Sequence, residues 1–81
     1  MVVVVHLKPE WYDKLLEDAR PQSKVEACLK SAYAPPPNDP EGEYVLRCDD
    51  YTISLLAALA DIACPAAIPA LSKAYREAKR A

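Results

Sequence analysis

Residues 51–80, YTISLLAALADIACPAAIPALSKAYREAKR, constrain this chain more than any other stretch. In the first part Leu55, Leu56, Leu59, Ile62 and Ala63 recur at steps of one, three and four, the spacing of one helix face. Ser54 and Asp61 mark the polar side, and Ala57, Ala58 and Ala60 leave it narrow. A helix this apolar needs cover on more than one side. Asp50 is placed to cap it, because its carboxylate can accept from the free amides of the first turn. Cys64-Pro65 then stops the helix, since the residue before a proline is pushed out of helical conformation. The second part keeps Ile68, Leu71, Tyr75 and Ala78 on one side, with Lys73, Arg76, Lys79 and Arg80 mostly elsewhere. Pro69 fits if that helix begins near Ala66, where first-turn amides have no intrahelical partner. The spacing therefore predicts a helical hairpin with an apolar first arm and an amphipathic second arm. Basic residues near its end suit the negative pole of the helix dipole.

Within this hairpin, LLAALADIACPAAIPALSKAY (residues 55–75) resembles one unit of a HEAT-type repeat, with a short proline-containing turn between helices and Ala-Ile-Pro-Ala-Leu opening the second. The resemblance covers about a quarter of the chain. It implies helical-hairpin packing and protein binding, and no activity. Stacked repeats need about three units for stability, more than this chain has room for.

The first half echoes the second. LKSAY at 29–33 matches LSKAY at 71–75, LL at 15–16 matches LL at 55–56, and Pro21 and Pro65 stand between these marks. VVVVHL at 2–7 lies where YVLRC at 44–48 lies, with offsets drifting between 40 and 44 residues. Both halves read strand, helix, proline, helix. The expectation is an α+β, mainly helical single domain: two similar βαα halves, about 2–33 and 43–80, with four helices, a two-stranded sheet and a linker at 34–42.

In chain order, Val2–Leu7 is a continuous β-branched run, which predicts a strand covered on both faces. Pro9 fits the first turn of the next helix. Tyr12, Leu15, Leu16 and Ala19 make its apolar side, and Glu10 and Lys14 can pair at i,i+4. Trp11 stands at the margin of that side, either as core bulk or as an anchor for a partner. Ser23-Lys24-Val25-Glu26 is a capping box, in which the serine hydroxyl takes the Glu26 amide and the glutamate reaches back to the serine amide. The helix it starts turns Val25, Cys28, Leu29 and Ala32 inward. APPPNDPEG at 34–42 reads as a stiff polyproline stretch with turn chemistry at its end; a proline-binding groove could take such a segment, but as the joint between two similar halves it needs no such role. In the strand that follows, Tyr44, Leu46 and Cys48 share one face and Val45 and Arg47 the other. Asp49-Asp50 ends it; adjacent carboxylates can bind a metal or exchange protons, but here they have a capping role.

Composition narrows the function. At 81 residues only about 60–65% of the unfolded surface can be buried, so a partner or a staple would add usefully to stability. With no Phe, Trp11 and five tyrosines supply all the aromatic bulk. A net charge of −2 and a pI near 5.3 argue against broad binding to nucleic acid or anionic membrane. Lys73, Arg76, Lys79 and Arg80 are the local exception, able to contact phosphates with Tyr75 to stack on a base. Met1 followed directly by valines shows no basic leader region, and no stretch approaches the roughly 20 apolar residues of a membrane span, so a cytoplasmic protein is expected.

Three cysteines without paired spacing predict reduced, mostly buried thiols. His6, Cys28, Cys48 and Cys64 are the candidate metal ligands, although none of them has the close spacing of structural zinc sites. Cys64 activated by His6 is the candidate nucleophile, opposed by its apolar turn, which raises a thiol pKa. A single glycine rules out a glycine-rich phosphate loop. No cofactor is expected. By elimination the chain reads as a small protein-interaction module without catalysis: an adaptor, inhibitor, immunity factor or assembly subunit. The alternatives are a nucleic-acid-binding regulator and a Cys/His metal or thiol site. Since two strands leave open edges, Val3 and Val5 are expected to carry strand addition across a subunit boundary, giving a homodimer.

Overall fold

A computed structural model describes residues 1–80. Strand β1 (Val3–Leu7) leads to helices α1 (Pro9–Asp18) and α2 (Lys24–Lys30). Strand β2 (Tyr44–Cys48) leads to α3 (Asp50–Ala63), a 3₁₀ turn (Pro65–Ala67) and α4 (Ile68–Arg80). The order is strand, helix, helix, twice over, and the fold is the small, mainly helical α+β arrangement expected. The strands pair antiparallel, with Val3 opposite Cys48, Val5 opposite Leu46 and Leu7 opposite Tyr44.

The sheet has one dry face. Val3, Val5, Leu7 and Leu46 are all 0% exposed, whereas Val4 is 40% exposed and His6 and Arg47 face solvent. The four-valine run is thus not covered on both faces. An antiparallel pair tolerates a solvated face, and a β-branched run does not by itself reveal which period burial follows. Beyond β2, the Tyr33 amide donates to the Val45 carbonyl at 2.9 Å and the Val45 amide to Tyr33 at 3.0 Å, extending the sheet by one bridge.

Helix α1 starts at Pro9 without a side-chain cap and buries Tyr12 and Leu15. The Tyr12 ring stacks on Tyr44 at 3.8 Å between centroids, and its hydroxyl donates to the Leu29 carbonyl at 2.6 Å. One side chain therefore ties α1 to both β2 and α2; burial raises its phenol pKa. The expected Glu10–Lys14 pair does not form; the ion pair among the described residues is Glu26–Lys30, at 3.8 Å on α2. The capping box holds at its first bond, Glu26 amide to Ser23 Oγ at 3.2 Å. The return bond goes one residue further back: Glu26 Oε1 accepts from the Gln22 amide at 2.9 Å. Gln22 is left-handed (φ 63°), which aims its amide at the glutamate and leaves the Ser23 amide to the Arg20 carbonyl at 3.2 Å.

The segment 34–42 is no extended spacer. Tyr33 and Val45 lie side by side, so the chain between them must turn back on itself. Asp39 donates to the Pro36 carbonyl and Gly42 to the Asp39 carbonyl, while the Asp39 carboxylate takes the Glu41 amide. Gly42 is buried, and a Cβ there would collide with the Pro35 ring. Gly42→Ala should accordingly lower stability by about 1–3 kcal/mol, the usual range for overpacking, read as a shift in the urea midpoint at unchanged slope. A midpoint equal to that of the parent would mean that the loop packs differently.

Helix α3 begins one residue earlier than expected. Asp49, still extended, is the N-cap and accepts from the Thr52 amide at 2.7 Å; Asp50 is the first helical residue. The inward line is Thr52, Ile53, Leu56 and Ala60. Ile62, expected on the buried face, is 84% exposed. Residues 55, 59 and 62 form the next line round the helix, about 100° from the line through Leu56. The two arms of the hairpin do meet, at Ile53 and Ala57 against Ile68, Leu71 and Tyr75, but α4 packs most extensively on β1.

Candidate functional site

The feature that stands out is the outer side of α3. The helix is apolar on two sides, and the molecule covers only one of them. Tyr51, Leu55, Ala58, Leu59 and Ile62 follow i, i+4, i+7, i+8, i+11 spacing, a continuous stripe on one helix face. Tyr51 is 61% exposed and Ile62 84%, while Leu55 and Leu59 are half-buried at their bases against the core. The stripe and Val25 at the start of α2 line an open groove of about 930 Å³, rimmed by Asp18, Arg20, Ser23 and Lys24. Lys24 Nζ sits 5.1 Å from the Tyr51 ring centroid, with the Asp49 carboxylate close enough to feel its charge. Asp61 is exposed next to Ile62 in sequence, about 100° round the helix from it and outside the groove lining. Such a surface has the shape and apolar floor to bind an apolar helix face.

The cap below it is firm. The Asp49 carboxyl is held below the usual carboxylate range, chiefly by hydrogen bonding with the Thr52 side chain and then with its amide. It is therefore ionised at neutral pH, and the cap is lost as the pH falls through that lowered value.

The residues singled out from sequence are scattered. Val3 and Val5 point into the core at 0% exposure, so neither side chain can touch a partner. Trp11 is half-buried against the core with Lys8 Nζ 5.0 Å from its ring. Lys73, Arg76, Lys79 and Arg80 are exposed on α4, but Lys73 shares its cleft with Glu43 and Glu77. Lys79 lies over Tyr75, which is itself half-buried, so that ring is not free to stack on a base.

The four candidate ligands do not converge. Among the described residues no group of three or more His, Cys, Asp or Glu side chains is gathered for a metal. His6 sits on the solvated strand face, opposite Val45. Cys64 is buried at the end of α3, and the 3₁₀ turn separates it from α4. Cys28 and Cys48, in contrast, meet in the core with 2.9 Å between sulfurs.

The stripe was missed as a surface because its leucines looked like core. The signal that could have exposed it is the excess: α3 carries more apolar side chains than one buried face can hold. Compared with known protein families, curated proteins and solved structures, the chain matches none.

Proposed function

We propose that this chain is a small cytoplasmic protein-interaction module without catalysis of its own, and that it works through the outer stripe of α3, first of all by pairing with a second copy of itself. The observation behind this reading is the open apolar line from Tyr51 to Ile62. In a two-fold pair the same patch meets itself; with the axis across the helices the stripes run antiparallel, which brings Lys24 of one copy toward Asp61 of the other. Apolar side chains then supply the contact area, and the charges fix the register. Such pairing needs neither Val3 nor Val5, and it leaves α4 in place against β1.

The test is assembly state by light scattering and native mass spectrometry over a range of concentrations. The parent chain should be dimeric, and Ile62→Glu should be monomeric with an unchanged melting curve at low concentration. Lys24→Glu and Asp61→Lys should each weaken the dimer, and the double reversal should restore it. A parent that stays monomeric at every concentration, or a dimer indifferent to Ile62→Glu, would overturn the proposal.

A further inference from the structure

We propose that Cys28 and Cys48 are a redox modification site, closing to an intramolecular disulfide when the chain meets a small-molecule disulfide such as oxidised glutathione. The two thiols are 20 residues apart in sequence, both buried and both free, and nothing in the fold separates them. Their sulfurs are 2.9 Å apart, only about 0.9 Å beyond a covalent S–S bond. This contact follows from the architecture. Cys28 lies on the inward line of α2 with Val25 and Leu29, and Cys48 is the last inward residue of β2. The antiparallel register that sets Val3 opposite Cys48 thus also brings the end of β2 to α2.

The chemistry is ordinary thiol–disulfide exchange. Cys28 is the first attacker. It is the more exposed of the two, and the hydrogen bond from Cys48 stabilises its thiolate and lowers its pKa. Cys48 shows the converse shift: its pKa is raised, first by hydrogen bonding to Cys28 and then by burial. The Cys28 thiolate bonds to one sulfur of the oxidant and displaces one glutathione thiolate, which takes up a proton. The Cys48 sulfur, giving up its proton, then attacks the Cys28 sulfur of the mixed disulfide and displaces the second glutathione. Two protein thiols and one oxidised glutathione become one protein disulfide and two reduced glutathiones. Two electrons and two protons have passed to the oxidant.

The bond would tie the first βαα half to the second, closing the chain that runs through the 34–42 loop. In a reducing compartment the pair remains a dithiol; under oxidation it becomes a staple for a domain too small to hold a large apolar core. Cys64, buried elsewhere, takes no part.

The experiment is equilibration of the whole chain in glutathione buffers of graded ratio, acid quenching, alkylation, and mass mapping of peptides. The expected result is one disulfide per chain joining Cys28 to Cys48, with Cys64 alkylated. Its equilibrium constant should be on the order of 100-fold larger in the folded chain than in urea. Oxidation should raise the thermal midpoint by on the order of 10 °C. Cys64→Ala should keep the bond; Cys28→Ser and Cys48→Ser should each leave the remaining thiol free or singly glutathionylated. Recovery of both thiols alkylated at the most oxidising ratio would overturn the assignment, as would a bond to Cys64 or a midpoint that falls on oxidation.

Discussion

Val5→Lys is expected to leave no folded protein at 25 °C, with circular dichroism showing the loss of both helix and sheet signal. Val5 is fully buried, opposite Leu46, among Val3, Leu7 and other apolar core residues. The substitution removes about 1.5–3 kcal/mol of apolar burial. It also asks an ammonium group to enter a site with no acidic partner, which costs several kcal/mol more even after relaxation. A domain of this length holds roughly 4–12 kcal/mol in total, so the combined loss is comparable to everything that keeps it folded. Val4→Glu makes the informative contrast. That position is 40% exposed and lies directly across from Arg47, so the new carboxylate gains a cross-strand partner of opposite sign. It should melt within a few degrees of the parent. If Val5→Lys instead retained a cooperative melt near the parent's, the side-chain alternation of β1 would have to be reversed.

That contrast locates what the sequence made legible and what it did not. Element order was readable throughout, because each helix carries its own boundary chemistry: Pro9 at one start, Ser23 and Glu26 at another, Cys64-Pro65 at a stop. The orientation of elements was harder. VVVV satisfies a doubly buried strand and a half-buried one equally, and only the number of helices available to cover it decides between them. The α3 leucines posed the same problem, since adjacent Leu55 and Leu56 start two different helix lines and either could face the core. Ile53 and Ala60 break the tie, by completing the buried 53–56–60 line. The thiol pair was not legible at all. Cys28 and Cys48 have no motif spacing, and they meet only because the register of β2 and the inward line of α2 happen to coincide.

The second large effect is expected at Leu56, and its value lies in comparison with Ile62 on the same helix. Leu56 is 1% exposed, and truncation to alanine removes buried methyl groups and leaves a cavity that a close-packed core refills poorly. The cost should be 2 kcal/mol or more, up to about 5, which lowers the melting midpoint by roughly 10–30 °C in a domain of this size. Ile62→Ala removes as much apolar volume from a position that is 84% exposed, so in the isolated chain it should cost less than about 0.5 kcal/mol. Measured across concentration, the two variants must therefore diverge. Leu56→Ala destabilises by the same amount in dilute and concentrated solution, since its loss is internal to the chain. Ile62→Ala should match the parent when dilute and fall behind it as concentration rises, because a dimer is stabilised by mass action and the variant has given up contact area. Equal losses at both positions would place Ile62 in the core after all. Parallel curves for Ile62→Ala and the parent at every concentration would show that the stripe carries no self-association, and the excess apolar character of α3 would then need a different partner.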